Sequence, residues 1–302
     1  MTMAKRRLER CASGCLAAAV FCLCMLPVPV TGASDRDPAG PIAVQEIVEE
    51  ASETPEGRRE KIQKHLEEMT QQYPEFQDIC DNMDLYPEEL LEALCANPEI
   101  IDFVKGYPTA DGKVHGGLTE EELEEKVPLL TQWDVRWGYV PYGGSMIAAA
   151  GCAPTCLSMV IVGLTGNEKA TPDKLAADAE AGGYYVPGEG TSWTFLTEGC
   201  TAYGVAGNVL MLDKDAIARE LKQGHLVICS MKPGDFTSAG HFIVLTEAEE
   251  EGFRVHDPNS IMKSGWLWDY AVLEPQIKNL WTYCKKEEAG AGGETAEWEA
   301  GF

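Results

Sequence analysis

The chain has 302 residues, 45% of them hydrophobic, enough for one full-sized globular domain with accessory segments. Its formal net charge of -25, from 24 Lys and Arg against 49 Asp and Glu, repels phosphate backbones and argues against nucleic acid as a partner. No phosphate-binding loop, dinucleotide-binding glycine fingerprint or internal repeat occurs, so nothing supports nucleotide-dependent chemistry.

Residues 1–33 read as an export signal, with Lys5, Arg6, Arg7 and Arg10 ahead of the apolar run Cys11 to Val30 and then Thr31-Gly32-Ala33 for cleavage. The run is also about long enough to span a bilayer, so an uncleaved membrane anchor is the alternative; Pro27 and Pro29 favour cleavage. Either way the expected location is secreted or extracellular. Residues 34–57 have the acidic, small-residue composition of a spacer that turns helical toward its end.

Residues 58–128 form an expected accessory helical region, because helix-forming runs alternate with breaks at Tyr73-Pro74, Tyr86-Pro87 and Asn97-Pro98. Short helices are expected over Glu88–Cys95 and Glu99–Lys105, and Thr119 with Glu122 caps another. No chemistry is visible there, and His65 reads as a surface residue. Composition changes at Pro128-Leu129-Leu130, which places a domain boundary before residues 129–286. Within that span helices are predicted near 153–164, 172–181, 193–202 and 214–222, and strands near 207–210, 225–230, 241–247 and 253–257. Helices first and strands late is the order of an α+β domain with an antiparallel sheet. Residues 287–302 read as a disordered acidic tail.

The stretch Gly151-Cys152-Ala153-Pro154-Thr155-Cys156 carries the chemistry. Leu157, Val160, Ile161 and Leu164 recur at helical spacing, predicting an amphipathic helix that ends near Gly166. Pro154 fits only in its first turn, so Cys152 sits at the helix N-terminus, where backbone N–H groups and the macrodipole favour a thiolate and a developing oxyanion. Cys156, one turn on, reads as a buried core thiol, since the further ligands of a zinc site are missing; neither metal nor cofactor is expected.

A thiol nucleophile needs a base, and past the boundary only His225, His241 and His256 remain. His241 heads the strand Phe242-Ile243-Val244-Leu245; a turn over Glu247–Gly252 returns the chain antiparallel and sets Asp257 roughly opposite it. His225 opens a similar strand without a carboxylate opposite, and His256 points to the other face. A satisfied, half-buried histidine is as good a reading of His241 from spacing alone.

Several separated segments then agree in order: Gln132 to Gly138, Tyr142-Gly143-Gly144, residues 151–160, residues 233–245 and His256-Asp257-Pro258-Asn259-Ser260. Together they resemble the stand-alone, papain-like relatives of the bacteriocin-processing cysteine peptidases. The resemblance implies a papain-like fold, Cys152 as nucleophile, His241 as general base and acid, Asp257 as orienting carboxylate and Gln132 as oxyanion-hole donor. It implies a hydrolase of peptide or amide bonds working through a thioester; joined to the export segment, the expectation is an exported monomer acting on a peptide or amide substrate, cell-wall fragments included. A silent binding module of the same fold and an acyl transferase are the competing readings. The family usually has Gly at Ala153 and Pro at Val135, changes of shape more than of chemistry. Outside the export segment seven cysteines remain, which would allow one free nucleophile and up to three bridges.

Overall fold

The computed structural model describes residues 54–188 and 190–289. The expected export segment, nearly all of the spacer and the tail from residue 290 lie outside the described residues. Among the described residues, no helix is long and apolar enough to cross a membrane.

Helices α1 (Pro55–Thr70), α2 (Gln77–Asp81), α3 (Glu88–Ala96) and α4 (Ile101–Gly106) fall between the proline breaks, with short 3-10 turns beginning at Pro74 and Pro98. Pro55, Pro74 and Pro98 occupy first-turn positions, where the missing N–H costs nothing. Leu66, Phe76, Ile79, Leu90, Leu91, Leu94 and Phe103 make one apolar cluster, which also takes in Met146 and Ala148. The helical region therefore shares its core with the segment that leads into the cysteine helix. Helix α5 (Glu120–Glu124) has the predicted capping box between Thr119 and Glu122.

A small hairpin, β1 (Pro141–Tyr142) and β2 (Ser145–Met146), leads through α6 (Ile147–Ala150) into α7 (Cys152–Thr165). Gly166 ends α7 in the left-handed region, φ 67°. The helix is not amphipathic as predicted: residues 153–162 are all buried. It lies between the sheet on one side and α8 (Pro172–Ala181) on the other, so two faces need apolar cover. Then come β3 (Tyr185–Val186), β4 (Gly190–Thr191), α9 (Trp193–Glu198), β5 (Val205–Leu210), α10 (Lys214–Lys222), β6 (Leu226–Met231), β7 (His241–Ala248) and β8 (Phe253–His256). The chain continues through α11 (Ile261–Ser264), β9 (Leu267–Trp268), α12 (Tyr270–Leu273), β10 (Ile277–Lys285) and α13 (Lys286–Ala289).

The main sheet is antiparallel throughout, in the order β5-β10-β6-β7-β8-β9. Helix α7 packs on one face, over Leu226, Ile228, Phe242, Val244 and Trp281. Helix α10 covers the other through Ile217 and Leu221, against Val227, Cys229, Ile243 and Leu245. Neighbouring residues of β6 and β7 thus enter different cores, which is why both strands read as unbroken apolar runs.

Strand β10 lies between β5 and β6 and is absent from the sequence expectation. Its burial does not alternate, and a register irregularity between Ile277 and Asn279 breaks the period of two. Order also extends further than the composition of the tail implies, since residues 286–289 form a helical turn where disorder is expected from Glu287. All seven described cysteines are free thiols.

Candidate active site

Cys152 is the first residue of α7, as its sequence context requires. A Cβ at Gly151 would meet Ile147 Cγ2 and O at 2.6 Å, so only glycine lets α6 run this closely into α7. Cys152 is half-buried, whereas Cys156 is fully buried and its thiol is pushed well above the ordinary range, chiefly by desolvation. Cys156 is thus the core thiol that its position predicts.

His241 Nε2 lies 2.7 Å from Asp257 Oδ1. The predicted hairpin brings these two together, though by a different register. Val244 pairs with His256 and the turn spans Glu249–Gly252, which puts Asp257 across from Ile243 and not from His241. The displacement is two residues. Side chains alternate with a period of two, so His241 and Asp257 still share a side and meet on the diagonal. Asp257 Oδ1 also accepts from the Asn259 N–H at 2.8 Å, and the Asp257 N–H donates to Ser264 Oγ at 2.8 Å, fixing the carboxylate from its own loop.

His241 and Asp257 are both buried. Burial opposes the imidazolium, but the Asp257 charge and hydrogen bond, with a further hydrogen bond to Cys152, outweigh it and push the His241 pKa up to about 10. With Nε2 on Asp257, Nδ1 is the ring nitrogen left for Cys152. A folded-state pKa above the usual 6.5 means the native chain holds a proton that the unfolded chain releases first. The resulting stability is complete below about pH 6.5 and is lost as pH rises toward about 10. Asp257→Asn should flatten that slope, read as urea midpoints across the interval; an unchanged slope would mean that the carboxylate does not hold the proton.

Gln132 enters from resemblance alone, and the fold brings it to the same place. Its N–H donates to Pro258 O at 2.8 Å, tying its loop to the loop of Asp257. Its Nε2 donates to Ala148 O at 2.6 Å, while its buried Oε1 has no partner among the described residues. The side chain does not cap the Trp133–Trp137 turn. Gln132, Cys152 and His241 line one cleft of about 700 Å³. A second, of about 520 Å³, also meets Cys152 and His241.

The two alternative histidines lie elsewhere. His225 Nδ1 is 2.9 Å from Glu220 Oε2, and His225 lines neither cleft. Its carboxylate partner escapes strand pairing in the sequence because Glu220 sits on the helix before His225 and not on a facing strand. His256 is pushed below its usual pKa by burial, against a bond to Pro128.

The profile of the Peptidase_C39 like family matches residues 124–289, more than half of the chain. The chain belongs to the Peptidase_C39 like family. A crystal structure described as a C39-like peptidase from Bacillus anthracis is 17% identical to it, covering 45% of this chain and 89% of that one, with a TM-score of 0.30. No curated protein matches. In this C39-like chain the helical region preceding the match also reaches the site: Glu89, Glu92, Ala93 and Ala96 of α3 line the larger cleft. Asn97 donates its side-chain amide to Asn259 O, Trp133 Nε1 donates to the same oxygen at 3.0 Å, and the Ser260 hydroxyl donates to Glu99. Residues that showed no chemistry in the sequence thus brace the loop that carries Asp257.

Proposed function

We propose that the chain is an exported cysteine peptidase or amide hydrolase of papain-like arrangement, with Cys152, His241 and Asp257 as its triad and Gln132 as an oxyanion donor. The observation that carries this reading is the buried 2.7 Å contact of His241 Nε2 with Asp257 Oδ1, in a cleft that His241 shares with Cys152. In the reading, His241 Nδ1 takes the Cys152 proton as the sulfur attacks the amide carbon, and the oxyanion is held by the Gln132 amide and the Cys152 N–H. Collapse breaks the C–N bond, and His241 passes its Nδ1 proton to the departing amine. Water then attacks the thioester while His241 takes up its proton, the C–S bond breaks, and the imidazolium returns that proton to the released sulfur. Asp257 keeps the imidazole oriented throughout.

Two clefts meeting at one cysteine suit a chain-like substrate that crosses the site better than a small amide. Their charges differ. Glu89, Glu92 and Asp235 face a single Lys263 in the larger, while Lys232 and Lys278 line the smaller. The favoured substrate is therefore a peptide or peptide-like cell-wall strand, basic on one side of the cut bond and acidic on the other.

Iodoacetamide under mildly acidic conditions tests this reading. Cys152 should be alkylated far faster than the buried Cys229, whose thiol desolvation holds above the ordinary range. Uncut peptides of that charge pattern should protect Cys152 better than peptides with the charges exchanged. Equal rates at the two cysteines would remove the activated nucleophile, and equal protection would remove the charge preference.

A further inference from the structure

Where β6 begins and β10 ends, away from both clefts, four side chains with metal-binding chemistry converge. Leu226 pairs with Tyr283, so continuing the antiparallel register one step sets His225 across from Cys284. Glu288 follows Cys284 by four residues on α13, and the donor atoms of His225, Cys284 and Glu288 all lie within 4.8 Å of one another. Glu220 comes in from the end of α10, because Gly224, at φ 85°, turns the chain sharply into β6.

The tautomer of His225 is already arranged. Glu220 Oε2 accepts from Nδ1 at 2.9 Å and from the Thr282 hydroxyl at 2.8 Å, so the carboxylate is held by β10 while it orients the ring. Nε2 is left facing Glu288, 4.0 Å from its Oε2. A carboxylate fixing one imidazole nitrogen while the other meets a thiol and a second carboxylate is the outer-shell pattern of histidines that bind metal.

We propose that His225 Nε2, Cys284 Sγ and Glu288 bind a zinc-class divalent cation, with Glu220 as the positioning residue and water completing a tetrahedron. Sulfur, nitrogen and oxygen donors together select a borderline-soft ion over calcium or magnesium. Donor separations must close to roughly 3.5 Å, the edge of a tetrahedron with zinc's bond lengths. Glu288 supplies most of that movement, since its side chain is exposed on the last described helical turn. Binding releases the Cys284 proton to solvent and ties α13 to the paired ends of β6 and β10. This site does not depend on the proposed catalytic reading.

The test uses the full chain carrying Cys152→Ala, so that Cys152 and His241 cannot compete for the metal. Given Zn²⁺ and passed through gel filtration, it should retain one equivalent per chain, and Co²⁺ in its place should give thiolate charge-transfer absorption. Cys284→Ser should abolish that absorption, and Glu220→Gln should weaken Zn²⁺ binding by about 10–100-fold. Glu288→Gln changes an exposed side chain and leaves the fold intact, so lost affinity there cannot be blamed on misfolding. Cys80→Ser and Cys95→Ser should change nothing. No retained Zn²⁺ in the parent chain, or equal retention in Cys284→Ser and Glu288→Gln, would overturn the proposal.

Discussion

Cys152→Ala is expected to lower turnover of an amide or peptide substrate by about 10⁴–10⁶, the scale on which nucleophile loss acts in comparable hydrolases. Its stability should barely change, because Cys152 is half-buried at the start of a helix whose packing is carried by residues 153–162. Cys156→Ala is the matched control. It empties a fully buried position and should cost about 1–2 kcal/mol of stability while leaving turnover nearly intact. His241→Ala should match Cys152→Ala in turnover but not in stability. It strips the buried Asp257 carboxylate of its imidazolium, a loss of about 3–5 kcal/mol for breaking a buried pair, so His241→Gln is the better catalytic variant. Initial rates and urea midpoints on the same four proteins check the set. Turnover within tenfold of the parent in Cys152→Ala would end the case for this nucleophile.

The sequence exposes those residues unevenly, and the reasons are physical. Cys152 is legible because a proline two residues on and a glycine just before it leave few places for a helix to begin. The meeting of His241 with Asp257 is legible in kind but not in register. A bulge near Leu245 and a turn later than expected shift the pairing by two residues, and an even shift preserves which side a residue faces. An odd one would have separated the two side chains. Strand β10 is hidden because its alternation is broken by a register shift, and because its buried residues serve two cores. The role of α3 in the cleft is invisible for another reason: Glu89 and Glu92 look like any solvated helix face until the fold sets that face beside Cys152 and His241. Periodicity reports which side of an element is buried, and only the tertiary arrangement reports what the exposed side looks at.

Gln132→Ala is expected to lower kcat by about 10²–10³ while Cys152 remains as readily alkylated as in the parent. The orientation of the amide is set by its partner: Ala148 O can only accept, so the group 2.6 Å away must be the NH₂. That bond uses one of its two hydrogens. The other is available to the cleft that Gln132 shares with Cys152 and His241; the bond to Ala148 O holds the side chain, and the bond from Gln132 N to Pro258 O holds its loop. A donor held this way needs no reorganisation as negative charge builds on the attacked carbonyl, and most of the benefit of an oxyanion hole comes from that. Gln132→Glu sharpens the test. It keeps the volume and removes the amide donor, and it sets a carboxylate where negative charge must develop, so its kcat should fall further than that of Gln132→Ala. If instead Gln132→Ala slowed alkylation and turnover in equal measure, the residue would serve only to brace Ala148 and the Asp257 loop, since a thiol that has merely moved loses both reactions together.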